Sequence, residues 1–113
     1  MKKDASIFIE HILECIGLIE EYITGKSKED FMESSALQDS VIRRIEIIGE
    51  AIKNLPEAVK KQHTDVPWKN IAGMRDILIH EYFGVDLDLI FEVVRKDIPE
   101  LKAKLSEIKK TLI

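Results

Sequence analysis

Four residues in one short stretch of this chain carry types and spacings that could do chemistry: Arg75, Asp76, His80 and Tyr82. Arginine offers a fixed fork of donors matched to phosphate oxygens. Histidine moves protons near neutral pH, and a neighbouring carboxylate such as Asp76 favours its charged form. Tyr82 adds a hydroxyl that can hydrogen-bond a phosphate or be chemically modified. Together these types suit cleavage of RNA by its own 2′-hydroxyl. His80 would move the protons, and Arg75 would stabilise charge on the phosphorane-like transition state. Such chemistry needs neither metal nor cofactor. The plain alternative is that Arg75 caps helix carbonyls or pairs with a carboxylate, with His80 and Tyr82 as satisfied interface groups.

The stretch from Trp68 to Asp86 reads as a helix. At about 100° per residue, Tyr82 falls about 20° from Arg75, whereas His80 falls about 140° from Arg75 and about 40° from Asp76. The geometry gives two adjacent stripes, Arg75/Tyr82 and Asp76/His80. One helix cannot close all four around a single phosphate, but a second copy of the same helix can. A homodimer with the site across its two-fold axis is therefore expected. Gly73, two residues before Arg75, predicts close helix contact at the site.

Arg75-x4-His80-x-Tyr82, followed by Phe83-Gly84-Val85-Asp86, resembles the R-x4-H-x-Y motif of HepT-like proteins. These form the HEPN branch of toxins paired with minimal nucleotidyltransferases (MNT). The flanking text agrees: RRIEIIGEAIKNLP upstream, PWKNIAGMRDILIHEYFGVDLDLIFEVV through the site, and DIPELK after it. The likeness covers most of the chain from about Val41 to Leu105. It implies a HEPN-like helical fold and a metal-independent endoribonuclease acting as the toxin of a toxin–antitoxin pair. It also implies an MNT antitoxin that transfers AMP to Tyr82 and so silences cleavage. A bulky anion beside Arg75 would occupy the substrate phosphate site and repel RNA. Asp76 departs from many HEPN motifs, which carry Asn after the arginine.

The elements that must hold this stretch are all helical. A first helix is expected from about Asp4 to Gly25, with Gly25 past its end and Ile9, Ile12, Leu13, Ile16 and Ile23 on one face. Glu20 lies near the middle of that face, which points to solvent or a partner there. Ser27-Lys28-Glu29-Asp30 reads as a capping box opening a short helix into Phe31 and Met32, and Ser34-Ser35 as a joint. From Leu37 to Leu55 the residues Leu37, Val41, Ile45, Ile48, Ile52 and Leu55 make a second stripe, with Gly49 near its edge. Arg43 and Arg44 on this helix are possible RNA phosphate contacts; the competing reading is a solvated face with Arg43 paired to Glu46. Pro56 to Gln62 reads as a short helix, and residues 63–67 as a loop. Trp68 and Ile71 should anchor the start of the motif helix by packing, a better account of Trp68 than stacking on a base. Asp86 should cap the next helix. Leu87, Ile90, Val94, Ile98, Leu101, Leu105, Ile108 and Leu112 then keep one phase across Pro99, as in one bent helix, with a break near Asp97 as the alternative. The sum is an all-α antiparallel four-helix bundle with short additional helices, in one domain over residues 1–113.

Bulk properties narrow the function classes. The net charge of −4 argues against a large non-specific nucleic-acid surface. Residues 1–40 carry 4 basic and 9 acidic side chains and residues 41–83 carry 7 and 6, so RNA binding would be local to the motif. No uncharged apolar run is long enough to span a membrane, and no signal peptide is expected at the N-terminus. One cysteine, Cys15, excludes an internal disulfide and fits a reducing cytoplasm; it is expected to pack, and His11 to sit at the surface. No His/Asp/Glu set has metal-ligand spacing. A second function class stays open: a non-catalytic helical subunit docked on a nucleotidyltransferase. A third is a homodimeric structural adaptor.

Overall fold

Each stripe that the sequence shows becomes one buried helix face. The computed structural model describes the backbone of residues 2–80 and 86–112 and the side chains of residues 5–74 and 86–112. Helix α1 (Lys2–Ile23) begins two residues before the expected Asp4. It stops at Gly25, whose φ of +74° lies in the left-handed region where a glycine avoids the Cβ penalty. Its fully buried residues are Ala5, Ile9, Ile12, Cys15, Ile16 and Ile19, while Leu13 and Ile23 are only half-buried. The face is thus rotated from the expected one, toward Ile19 and Cys15.

Helix α2 (Lys28–Glu33) carries the expected capping box: the Asp30 amide donates to Ser27 Oγ at 3.1 Å and the Ser27 amide donates to Asp30 Oδ2 at 2.9 Å. Those bonds hold Asp30 below the usual carboxylate range. Ser34 then caps helix α3 (Ser35–Lys53) by accepting from the Leu37 amide. The Gln38 side chain donates to the carbonyls of Phe31 and Met32, fastening the end of α2 to α3. Along α3 the stripe Val41, Ile45, Ile48 and Ile52, continued by Leu55, is buried; Leu37 is half-buried.

Helix α4 (Glu57–Gln62) follows Pro56, and helix α5 (Trp68–His80) follows the loop 63–67. Asp86 caps helix α6 (Leu87–Glu92) by accepting from the Leu89 amide at 3.2 Å. Helix α6 runs through a π-helical segment (Val93–Asp97) straight into helix α7 (Ile98–Thr111). No break occurs near Asp97. Pro99 has no N–H for the Arg95 carbonyl and its ring crowds that turn, so the backbone widens just before it and the Ile98 amide donates to Val93 O.

Helix α3 packs between α1 and α5, and α7 packs on α1. Two ion pairs give the sense of that last pairing: Lys102 with Glu20 at 3.0 Å, and Lys109 with Glu10. The order along α7 reverses that along α1, so the two run antiparallel. Glu20, expected to meet solvent or a partner, is partly exposed and pairs with Lys102 of its own chain. Among the described residues there is no strand, and the fold is an all-α bundle of four main helical runs with α2 and α4 as short additions. Apolar burial dominates its stability, since each buried isoleucine contributes about 1.5–3 kcal/mol against about 0–1 kcal/mol for an exposed ion pair.

Candidate functional site

The motif helix α5 is fixed at its beginning by the loop before it. Pro67 and Trp68 open its first turn, where the Ile71 amide donates to Pro67 O. Trp68 is 8% exposed, and its indole N–H donates to the His63 carbonyl at 2.9 Å. That burial makes Trp68 a packing anchor and removes it as a stacking platform. Val66 beside it is buried. The Lys104 ammonium of α7 donates to the Asp65 carbonyl at 3.0 Å and pairs with its carboxylate at 3.2 Å. The lysine holds the Asp65 carboxyl below the usual carboxylate range.

Arg75, Asp76 and His80 all lie within α5, in its last two turns, and Asp76 and His80 stand one turn apart as i and i+4. Their side chains lie outside the described residues, as does Tyr82 altogether, so the two-stripe arrangement stands as read from the sequence. Gly73 departs from expectation. A Cβ built there would meet nothing within 4 Å, so no described neighbour approaches it closely. Downstream, the Asp86 cap restarts the chain as α6, and Asp88 pairs with Lys28 at 2.7 Å, tying α6 to α2.

The structure places Arg43 away from the motif helix within one chain. Helix α5 meets α3 on the side of Ile45 and Ile48, where Ile71 and Met74 share a cavity with them. Arg43, about 160° away from Ile45 around α3, lines a groove against Phe8 and His11 of α1. It forms no ion pair with Glu46 among the described residues, contrary to the i,i+3 reading. Arg44 turns toward Cys15, whose thiol is buried; burial pushes it up, and Arg44 pulls against that shift. Cys15 is a packing residue, and His11 is exposed.

Among the described residues, no three His, Cys, Asp or Glu side chains group as a metal site would require. No helix among them is long and apolar enough to cross a membrane. Sequence reasoning missed one feature: the cavity between α3, α5 and α7, with Asn70, Asp97 and Glu100 at its polar edge. Its lining comes from three helices distant in sequence, and no periodic signal marks such a place.

Comparison with known proteins matches residues 12–108 to the family described as Ribonuclease HepT-like. A Methanocaldococcus jannaschii protein named "Gamma-glutamylcyclotransferase and putative RNase" is 58% identical over 112 residues, covering 99% of this chain and 50% of that protein. The chain therefore spans half the length of that relative. A "Putative RNase" of Caldanaerobacter subterraneus subsp. tengcongensis is 53% identical over 102 residues, covering 89% of this chain and 90% of its own length. A "Probable ribonuclease HepT" of Thermococcus cleftensis is 46% identical over 110 residues, covering 97% of this chain and all of its own, 100%. No solved structure matches. On a family match over most of its length and on relatives of this identity, the chain belongs to the HepT-like ribonuclease family.

Proposed function

We propose that this protein is an endoribonuclease, the toxin half of a toxin–antitoxin pair, acting as a homodimer without metal. The observation that carries the reading is the family match over residues 12–108, which encloses the whole of Arg75-x4-His80-x-Tyr82. In the reaction the RNA 2′-oxygen bonds to phosphorus and the bond from phosphorus to the 5′-oxygen breaks. The products are a 2′,3′-cyclic phosphate and a 5′-hydroxyl. One His80 takes the 2′-hydroxyl proton, and the other copy's His80 gives a proton to the leaving oxygen. Arg75 holds the phosphorane-like charge. Asp76, one turn from His80, favours the imidazolium. An MNT-type antitoxin would silence the site by transferring AMP to Tyr82, placing an anion where substrate phosphate binds.

The test is cleavage of RNA by purified, unmodified protein in EDTA, with the product ends identified. His80→Ala should abolish cutting while the protein stays dimeric by light scattering; full activity in that variant would sink the reading. The intact mass after incubation with the partner nucleotidyltransferase and ATP should rise by an AMP adduct that maps to Tyr82. The net charge of −4 supports a second reading, a non-catalytic subunit of a nucleotidyltransferase complex. Co-purification with that enzyme and no turnover of any RNA would select it.

A further inference from the structure

The helical period of α5 marks an outer side as well as a packed one. Ile71 and Met74 turn toward α3 and α7, where they line the cavity between those helices. Lys69 and Gly73, two residues to either side of Ile71, each lie about 160° from it around the helix, and only about 40° separates the two. Continued along α5, the same line meets the positions of Asp76 and His80. Lys69 stands about 20° around the helix and about 16 Å along it from His80. Lys69, Gly73, Asp76 and His80 therefore form one stripe, at i, i+4, i+7 and i+11. The described part of that stripe is open. Lys69 is exposed, and its ammonium has no hydrogen-bond or ion-pair partner among the described residues. A Cβ built on Gly73 meets nothing within 4 Å. The carboxylate that most closely precedes Lys69 in sequence, Asp65, is already paired with Lys104. Residues 53–69, which lead into α5, carry 4 basic and 2 acidic side chains in a chain of net charge −4.

We propose that this outer stripe of α5 is a lane for single-stranded RNA. Lys69 holds a backbone phosphate a few nucleotides from the bond that is cut, and Gly73 leaves the strand room to lie against the helix. The inference rests on the ribonuclease reading above and adds to it the path of the substrate. An exposed lysine is a point charge that neutralises one phosphate and releases its counterion, which gives affinity without reading any base. Glycine weakens a helix interior relative to alanine, and no described neighbour requires it at position 73. Close approach of a ligand's backbone gives that cost a use. Of the four positions only Asp76 is acidic, and the reading above places it beside the His80 imidazolium. The fixed positive charge of the lane is therefore at Lys69. A line of contact along one helix also suits a chain of net charge −4, which has little to offer RNA as a broad surface.

Fluorescence anisotropy of the full chain with a 2′-O-methyl RNA oligonucleotide, which its own 2′-oxygen cannot cleave, tests the lane apart from the chemistry. Lys69→Ala should weaken binding about three- to tenfold at low salt, equally for all base sequences. It should also flatten the slope of log affinity against log salt by about 0.7, the share of one phosphate on a single strand. Lys69→Arg should restore both. Gly73→Leu should weaken binding too, with the melting temperature not lowered and the dimer intact by light scattering. In cleavage assays the Lys69→Ala and Gly73→Leu variants should raise KM for a long RNA. They should leave kcat unchanged, and likewise the cutting of a dinucleotide too short to reach Lys69. Unchanged affinity and salt slope in Lys69→Ala, or no binding by the wild type, overturns the lane and leaves the ribonuclease to its own cleavage test. A Gly73→Leu chain that falls apart into monomers also overturns it, because a second copy and not RNA then fills this face. Binding that depends on Lys69 with no cleavage of any RNA keeps the lane and overturns the ribonuclease.

Discussion

Two regions of this small bundle are built differently. The α1–α3 pair is a scaffold: Ile9, Ile12, Ile16, Ile48 and Ile52 are all fully buried, and α7 is strapped to α1 by Lys102–Glu20 and Lys109–Glu10. The described part of the motif helix α5 packs on α3 and is anchored at its beginning. Trp68 is the buried side chain among its described ones, Ile71 and Met74 are half-buried, and a cavity lies between it and α7. A helix with a half-buried apolar face is suited to take up a second copy, a partner or a substrate. A helix with a saturated face is suited to stay put. The buried scaffold and the helix that carries the motif are thus different parts of one short chain.

This contrast can be broken at several points. The largest effect belongs to His80→Ala, which should lower RNA cleavage by about 10²–10⁴-fold with no change in melting temperature, because the loss is of proton transfer. Ile48→Ala in the scaffold should cost about 2–5 kcal/mol in urea unfolding, since a fully buried isoleucine leaves a void that its neighbours fill only in part. Met74→Ala on α5 should cost about 1 kcal/mol by the same measurement, as it is only half-buried where Ile48 is fully buried. Equal costs for the two would erase the distinction between scaffold and motif helix. Trp68→Phe should lose about 1–3 kcal/mol by leaving the His63 carbonyl without its donor.

The smallest effect concerns acid. The Asp65 carboxyl is held below its ordinary value of 3.8 by Lys104, so it protonates less readily in the folded chain than in the unfolded one. Its stabilisation is present above the unfolded value and is lost as the pH falls through the lower, folded one. Asp65→Asn should therefore shift the melting temperature slightly at pH 7 and not at all in acid below the folded value, where wild type and variant converge. The absence of any difference at pH 7 would show that the Lys104 bond to the Asp65 backbone carbonyl alone carries the clamp.

Much of this architecture was legible before any coordinates. The Ser27–Asp30 capping box, the Asp86 cap and the Gly25 stop are local devices, each decided within one turn of chain, and all are present as read. The stripe on α3 and the constant phase through Pro99 were equally plain, because burial of one face imposes a helical period on composition. What was not legible depends on neighbours far along the chain. The rotation of α1 toward Ile19, the capture of Glu20 by Lys102 and the turn of Arg44 toward Cys15 follow from how neighbouring helices settle against one another. At Gly73 no described residue makes the close contact expected there, since a missing side chain says that space is open but not what fills it.

The candidate site divides the same way. Residue types and spacing by themselves determined the family motif, the helix that carries Arg75, Asp76 and His80, and the chemistry those types can perform, because all of these are local along the chain. Only the tertiary structure decided that Arg43 lies across α3 from the motif helix, that the chain passes Pro99 through a π-helical segment, and that a cavity opens beside Met74. The physical reason is that a helix's period records which face is buried, whereas what that face meets is set by packing among segments dozens of residues apart.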